Sequence, residues 1–470
     1  MDRLKPFDCL VAGRLTSGAE CAEVVNPATG QAFCSYATAD RAMVEEAMSA
    51  AVQAFEQWRS SQLSERRALL DALADCVDRE ADNLAHLLTL EQGKPISEAQ
   101  QEVQFTAFML RYSATLHSDR TESLFDETHP DHRRIFTPLG VVAGIIPWNY
   151  PLVLAAMKIG PALLTGNAII VKPAPTTPAA TLELGRLWAD RVPPGLIQIL
   201  GDDGTVGPML AEHPDIRKLS FTGSTITGRA VMAAAAPTLK RLTLELGGND
   251  AAIILDDAEP VAAAAGIYSG AFTNCGQICG AVKRVYVHDA VYERFCEALA
   301  GHVNSAVVGA GSLPDTTIGP VQNRIQYDKS MALLSAAEAA GRVIARANIP
   351  PGSSGFYVPP TLIADLSDSH PLVREEQFAP LLPIMKFNND ADAVRRANDS
   401  PYGLTASVWS SDRARAAALA TGIDTAVVHI NTHNGSTNGQ GASPAKQSGV
   451  GWLFGHDGFK EYMQPHLIMC

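Results

Sequence analysis

The chain has 470 residues, with 37 lysines and arginines against 50 aspartates and glutamates, a net charge of −13. At roughly 100–200 residues per domain, this length predicts two or three domains. With 46% hydrophobic and 19% charged residues the chain can bury a large core, which excludes wholesale disorder. An acidic balance with no Lys/Arg cluster argues against nucleic acid and anionic lipid as partners.

The eight cysteines form no Cys-x-x-Cys pair and no zinc-like spacing with histidine, so reduced thiols, no metal and a cytoplasmic location are expected. The opening MDRLKPFDCL has no apolar signal core. The longest apolar stretch, Leu139–Val171, is broken by Pro147, Asn149, Lys158 and Pro161, which argues against a membrane span.

In chain order, the first ~120 residues read mostly as helix. Apolar residues recur at three- and four-residue spacing over Asp40–Arg59, Leu63–Leu90 and Ile96–His117, with Gly93-Lys94-Pro95 as a breaker. The polar stretch His117–Asp131 predicts an arm that pairs with the tail Tyr462–Cys470. Short apolar runs follow at Val141–Ile146, Ala168–Val171, Ile197–Leu200, Lys218–Phe221, Leu242–Leu246 and Ala251–Leu255. Helical patterns at Leu152–Leu164, Pro178–Arg191, Thr205–Ala211 and Ile226–Ala235 separate the first five. That alternation predicts a parallel sheet covered on both faces, with ligands at the carboxyl ends of its strands. After Ile254 a second α/β block is expected. Its strands are Val282–Val287, Arg342–Ala345, Leu382–Phe387, Leu404–Trp409 and Ala426–Asn431, and its helices include Val291–Val303 and Asp390–Asn398. Thr432–Gly449 reads as loop.

The polar residues that follow the strands carry the candidate chemistry. Cys279 lies after the helical pattern Pro260–Phe272, between Gly276 and Gly280. A thiolate there would be a strong nucleophile, with its pKa lowered by nearby backbone N–H groups; a buried structural cysteine is the plainer reading. Glu245, among leucines at a strand end, should be partly desolvated, as suits a general base, although an outward edge carboxylate fits as well. Asn149 could donate its amide to an oxyanion or merely cap a helix. Lys172 ends a strand and could bind ribose or phosphate; Lys158 is either a core-edge lysine or part of a proton relay. Gly201, Gly204, Gly207, Gly223 and Gly228 form no clean dinucleotide fingerprint.

Taken in order, these segments resemble the aldehyde dehydrogenase superfamily. They are Pro147-Trp148-Asn149-Tyr150-Pro151, Gly166-Asn167, Lys172-Pro173, Phe221-Thr222-Gly223-Ser224-Thr225, Leu244-Glu245-Leu246-Gly247-Gly248, Gly276-Gln277-Ile278-Cys279, Glu375-Glu376-Gln377-Phe378 and Lys446-Gln447-Ser448-Gly449. The resemblance implies an α/β fold with three parts: a Rossmann-like cofactor domain (1–119 and 139–246), an α/β catalytic domain (247–440) and a small β oligomerisation arm and tail (120–138 and 441–470). It implies a homodimer or homotetramer that oxidises a small-molecule aldehyde with NAD, or with NADP, through a thioester on Cys279. Asn149 and the Cys279 N–H would hold the oxyanion, Glu245 would activate water, and Lys158 would lie near the proton exit. Ile146, Pro147, Trp148, Lys172, Pro175, Gly204, Gly207, Phe221, Thr222, Gly223, Ser224, Leu246, Gly247, Glu376 and Phe378 match cofactor positions. Tyr150, Met157, Phe272, Thr273 and Ile278 match the aldehyde tunnel and favour aromatic or medium-chain aldehydes. His433, with Asn434 and Ser436, could instead receive the carboxylate of a semialdehyde.

Three departures stand out. Pro175 replaces a glutamate that many NAD-preferring members carry, which leaves NADP open. Ala379 stands where glycine is usual, and Gly441-Ala442-Ser443-Pro444 replaces Pro-Phe-Gly-Gly. Two rival readings remain at this level: a CoA-acylating dehydrogenase, against which Glu245 argues, and a non-catalytic binding protein of the same fold.

Overall fold

The computed structural model describes residues 6–116, 121–123, 132–433 and 439–469. Two sheets organise them. The first has five parallel strands in the spatial order Ile197–Ile199, Ala168–Lys172, Val141–Ile145, Ile216–Thr222 and Arg241–Glu245. Val141–Ile145 and Ala168–Lys172 are buried at every position. This accounts for their unbroken apolar runs: helices cover both faces, so no position needs to be polar. The strand order reverses beside Val141–Ile145. Its two neighbours leave in opposite directions, and their exits open a crevice at the carboxyl ends.

Both edges of this sheet carry strands that the apolar pattern does not announce. Cys9–Val11 pairs antiparallel with Ile197–Ile199, and Arg14–Thr16 follows it outward. A further hairpin, Glu20–Asn26 with Gln31–Thr38, precedes the first helix. The opening region is therefore not mostly helical up to residue 40; short, half-polar strands there give too weak a period to detect. The tail divides. Gly449–Val450 closes the other edge of the sheet against Leu244 and Glu245, while Met463–Ile468 pairs antiparallel with Arg133–Pro138, which also pairs with Thr121–Ser123. The tail's partner is thus Arg133–Pro138 and not the expected stretch His117–Asp131, whose described residues Thr121–Ser123 lie on the far side of that strand; most of His117–Asp131 lies outside the described residues, as does Cys470.

The helix expected over Leu63–Leu90 is two, Leu63–Arg79 and Ala81–Gln92. Glu80 leaves helical backbone between them, and Gly93, at φ 94°, ends the second.

The second sheet runs Arg342–Arg346, Thr361–Ala364, Leu381–Phe387, Val282–His288, Asp250–Ile254, Thr405–Trp409 and Val427–Ile430, all parallel except the first pair. Asp250–Ile254 belongs here, not with the strands before it as the alternation alone suggests. The reason is local: no helix intervenes after Glu245, so Leu246–Asn249 carries the chain straight into the next sheet. Thr361–Ala364 and the helix Arg324–Ala340 are additions to the expected list. Buried apolar residues form two separate cores, one around each sheet. Glu245 and Cys279 stand where these two units face each other.

Candidate active site

Cys279 follows a tight left-handed turn. The helix Pro260–Phe272 ends, and Asn274, Cys275 and Gly276 take φ values of 52°, 57° and 73°. Non-glycine residues seldom adopt such backbone. Gly276 is required there on a second count, because a Cβ would lie 2.5 Å from the Ala379 carbonyl oxygen. Hydrogen bonds hold the turn open: Gln277 N–H donates to Asn274 O, and the Asn274 amide donates to Asn149 O at 3.0 Å. Lys283, buried four residues after the cysteine, donates to Ile278 O at 2.6 Å and fixes the peptide before Cys279.

The turn presents Cys279 to Glu245. The thiol donates to Glu245 Oε1 at 3.1 Å. Thr222 donates to Glu245 Oε2 at 3.3 Å and accepts from Lys158 Nζ at 2.8 Å. One chain of contacts therefore links Lys158, Thr222, Glu245 and Cys279. Burial lowers the Lys158 pKa to about 8, against the pull of Glu245. The expected lowering of the Cys279 pKa is absent. Burial first, and the Glu245 charge second, push the thiol well above its ordinary value. At rest Cys279 is a thiol with a base beside it. Cys275 is buried and raised by desolvation, with no comparable partner.

Asn149 is buried, and its amide donates to Gln277 O at 2.9 Å. An amide nitrogen carries two hydrogens, so one remains for an oxyanion. Its backbone is clamped from below. Lys94 Nζ donates to Asn149 O at 2.9 Å and to Glu102 Oε2 at 2.6 Å, and both side chains are fully buried. Glu102 Oε1 accepts from the N–H groups of Leu152 and Val153, capping the helix Pro151–Thr165. Lys94 and Glu102 were invisible as site residues; Gly93-Lys94-Pro95 reads only as a breaker.

The cofactor candidates gather along the carboxyl ends of the first sheet. Ile146 N–H donates to Lys172 O, and Gly223 N–H to Glu245 O. Ser224 caps the helix Thr225–Ala235 by accepting from Thr227 N–H at 3.2 Å. Phe221 is buried, and Leu246 packs where a Cβ on Gly228 would collide. Trp148 meets the Phe378 ring edge-on, centroids 5.3 Å apart, and half-buried Pro147 sits beside it. Glu376 accepts from Gly248 N–H at 3.1 Å, and its other oxygen occupies the space a Cβ on Gly247 would need. Lys172, Pro175, Gly204 and Gly207 form the far corner, where a side chain on Gly207 would reach toward the Lys172 stem at 3.8 Å.

The substrate candidates do not all converge. Tyr150 and Thr273 line a cavity of about 600 Å³ with Glu98, Phe105, Phe108 and Val153. Ile278 is half-buried beside Cys279. Met157 lies in a smaller space with Glu245, Trp452 and Phe454. Phe272 is buried against Tyr268 and serves the core. His433 does not receive a carboxylate. Its Nε2 donates to Gly280 O at 2.8 Å, its Nδ1 pairs with Ser407 Oγ at 3.0 Å, and burial lowers its pKa to about 3. It is a neutral tether behind the cysteine loop. Asn434 and Ser436 lie outside the described residues. Among the described residues no cluster of histidine, cysteine or acid could hold a metal, and no helix is long and apolar enough to cross a membrane.

Residues 15–468 match the Aldehyde dehydrogenase family. The chain belongs to the aldehyde dehydrogenase family. Human retinal dehydrogenase 2 is 36% identical over 95% of this chain and 88% of its own length. An NAD+ complex of an aldehyde dehydrogenase from Bacillus cereus superposes with a TM-score of 0.95 at 31% identity, covering 99% of this chain and 96% of that one. Betaine aldehyde dehydrogenase from Staphylococcus aureus, also solved with NAD+, gives 0.94 at 30% identity over 98% and 94%. In this family's frame the Pro175 and Ala379 departures are accommodated. Pro175 O accepts from Tyr36, and Ala379 is buried against the Gly276 turn. The altered loop is tied by paired backbone hydrogen bonds between Ala442 and Leu453.

Proposed function

We propose that the chain oxidises an aldehyde to its carboxylic acid with NAD+ through a covalent thioester. The 3.1 Å contact between Cys279 Sγ and Glu245 Oε1 carries the reading. A carboxylate at that distance can take the thiol proton as sulfur attacks the carbonyl carbon. The carbonyl oxygen, now an oxyanion, receives the free Asn149 N–H, and the Lys94–Glu102 clamp keeps that donor in place. A bound nicotinamide would supply the acceptor for the hydride that the carbon must lose to become a thioester. Glu245 first passes the thiol proton through Thr222 to neutral Lys158, which makes it a base again. It then takes a proton from the water that attacks the thioester, and returns that proton to the Cys279 sulfur as the sulfur leaves.

The residues present fit such a cofactor: Glu376 and Phe378 would hold its nicotinamide ribose, Trp148 and Ser224 its phosphates, and Lys172 with Gly207 its adenosine ribose. In this reading residues 1–119 and 139–246 carry the cofactor and 247–440 the nucleophile. Residues 120–138 with part of 441–470 form an arm joining copies into a homodimer or homotetramer. Tyr150, Phe105, Phe108 and Val153 give the cavity an apolar side suited to aromatic or medium-chain aldehydes, with Glu98, Gln101 and Gln104 on its polar side, and a retinal dehydrogenase is among the relatives. The described cysteines are free thiols, as fits the cytoplasm. An aldehyde panel with NAD+, with and without CoA, tests the proposal. Carboxylate and NADH should form without CoA. Acyl-CoA as the sole product would overturn it, as would absent turnover in a protein that still binds NAD+.

A further inference from the structure

Lys172 ends its strand in a buried corner and is not free. Its Nζ donates to Asp202 Oδ2 at 2.8 Å, with the two side chains 8% and 3% exposed. Asp202 is itself immobile: Oδ1 accepts from Gly204 N–H at 2.7 Å and from Val206 N–H at 2.9 Å. The buried Tyr36 hydroxyl lies 2.8 Å from Asp202 O and 3.1 Å from Pro175 O. Positions 175 and 202 thus meet on one oxygen. Asp203 follows on the surface, its carboxylate accepting from Thr205. Burial first, then the charges of Asp202 and Asp203, push the Tyr36 phenol up. The corner holds one ammonium and two carboxylates.

This reverses what sequence implied. By sequence, Pro175 lacks a carboxylate and Lys172 is left to bind ribose or phosphate. We propose that Asp202 sets the cofactor preference, supplying from position 202 the carboxylate that Pro175 lacks, so that NAD is selected and NADP refused. The proposal rests on the cleft being a dinucleotide site. A 2′-phosphate brings nearly two negative charges. To gain Lys172 it must break a buried ion pair or lie beside the unpaired carboxylate, and either is strongly unfavourable. A ribose hydroxyl can donate to Asp202 and accept from Lys172, so both partners serve an unphosphorylated ribose.

Calorimetric titration of NAD+ and NADP+ into the full chain tests this without relying on turnover. Wild type should bind NAD+ at least about a thousandfold more tightly than NADP+. Asp202→Asn keeps an oxygen for Gly204 and Val206 but loses the charge. It should narrow the ratio by about 30-fold or more. Adding Pro175→Glu to that variant should restore the preference, a rescue that a purely structural role for Asp202 would not give. Pro175→Glu alone should change the ratio less than about threefold, because the corner already has its carboxylate. Three results would overturn the proposal: a wild-type ratio under about tenfold, an unchanged ratio in Asp202→Asn, or a marked widening by Pro175→Glu alone. The last decides the matter even if Asp202→Asn does not fold. Wild type binding neither dinucleotide would instead overturn the reading of the cleft itself.

Discussion

Lys94 and Lys158 are both buried near the reacting cysteine, yet the two regions treat a positive charge in opposite ways. Lys94 faces a carboxylate at 2.6 Å and a backbone carbonyl at 2.9 Å. Lys158 faces a hydroxyl, with the nearest carboxylate one residue further along the chain of contacts, and its pKa falls to about 8. Lys94 is a strut paired to a full opposite charge, whereas Lys158, held by a neutral oxygen, exchanges its proton around pH 8. In the proposed mechanism both serve Cys279: the strut fixes Asn149 as oxyanion donor, and Lys158 clears protons from Glu245.

Changes at the proton-handling side should affect rate, and changes at the strut should affect the fold. Cys279→Ala has the largest expected effect: turnover falls to background while NAD+ binding and melting temperature stay near wild type, whereas Cys275→Ala costs little. Paired calorimetry and steady-state assay check this, and residual turnover in the first variant would reassign the nucleophile. Glu245→Gln comes next. Steady-state turnover should drop by about 10²–10⁴-fold, and the NADH burst should slow as well, because Glu245 takes the thiol proton, though less than hydrolysis does. Mass spectrometry of quenched samples should find the acyl group on Cys279.

Lys94→Met strands Glu102 without its partner. Breaking a buried pair in this way costs about 3–5 kcal/mol, read as a lowered urea midpoint, and Lys94→Met with Glu102→Gln should recover much of it. Comparable loss in the single and double variants would mean the pair is not a strut. Lys158→Met should cost least, about tenfold or less in turnover, and its signature is in pH. Burial lowers the pKa, so the wild-type lysine is neutral and able to accept a proton above about pH 8 and is charged below. Hydrolysis should rise through that pH in wild type and run flat in the variant; a retained inflection would assign the titration to another group.

Much of this was legible because it is local. Val141–Ile145 and Ala168–Lys172 declare themselves by apolar runs, and Cys279, Glu245 and Asn149 by the short segments around them. What escaped depends on partners far along the chain. Lys94 finds Asn149, and Lys172 finds Asp202, only after the sheet has set its strand order. His433 carries the residue type of a ligand-binding group, but Gly280 and Ser407 consume both its nitrogens. The strands Cys9–Val11 and Thr361–Ala364, three and four residues long, are too short for periodicity to rise above noise.

The carboxylate beside Cys279 also bears on how the protein survives between encounters with substrate. Peroxide and other electrophilic oxidants react with thiolates and largely spare thiols. Because burial and Glu245 keep Cys279 protonated at rest, the sulfur should resist conversion to sulfenic acid while idle. It becomes vulnerable only when its proton is drawn away for attack. The same contact that prepares the nucleophile would therefore help preserve it, and Glu245→Gln should lower peroxide resistance only in part, because the burial that contributes most remains.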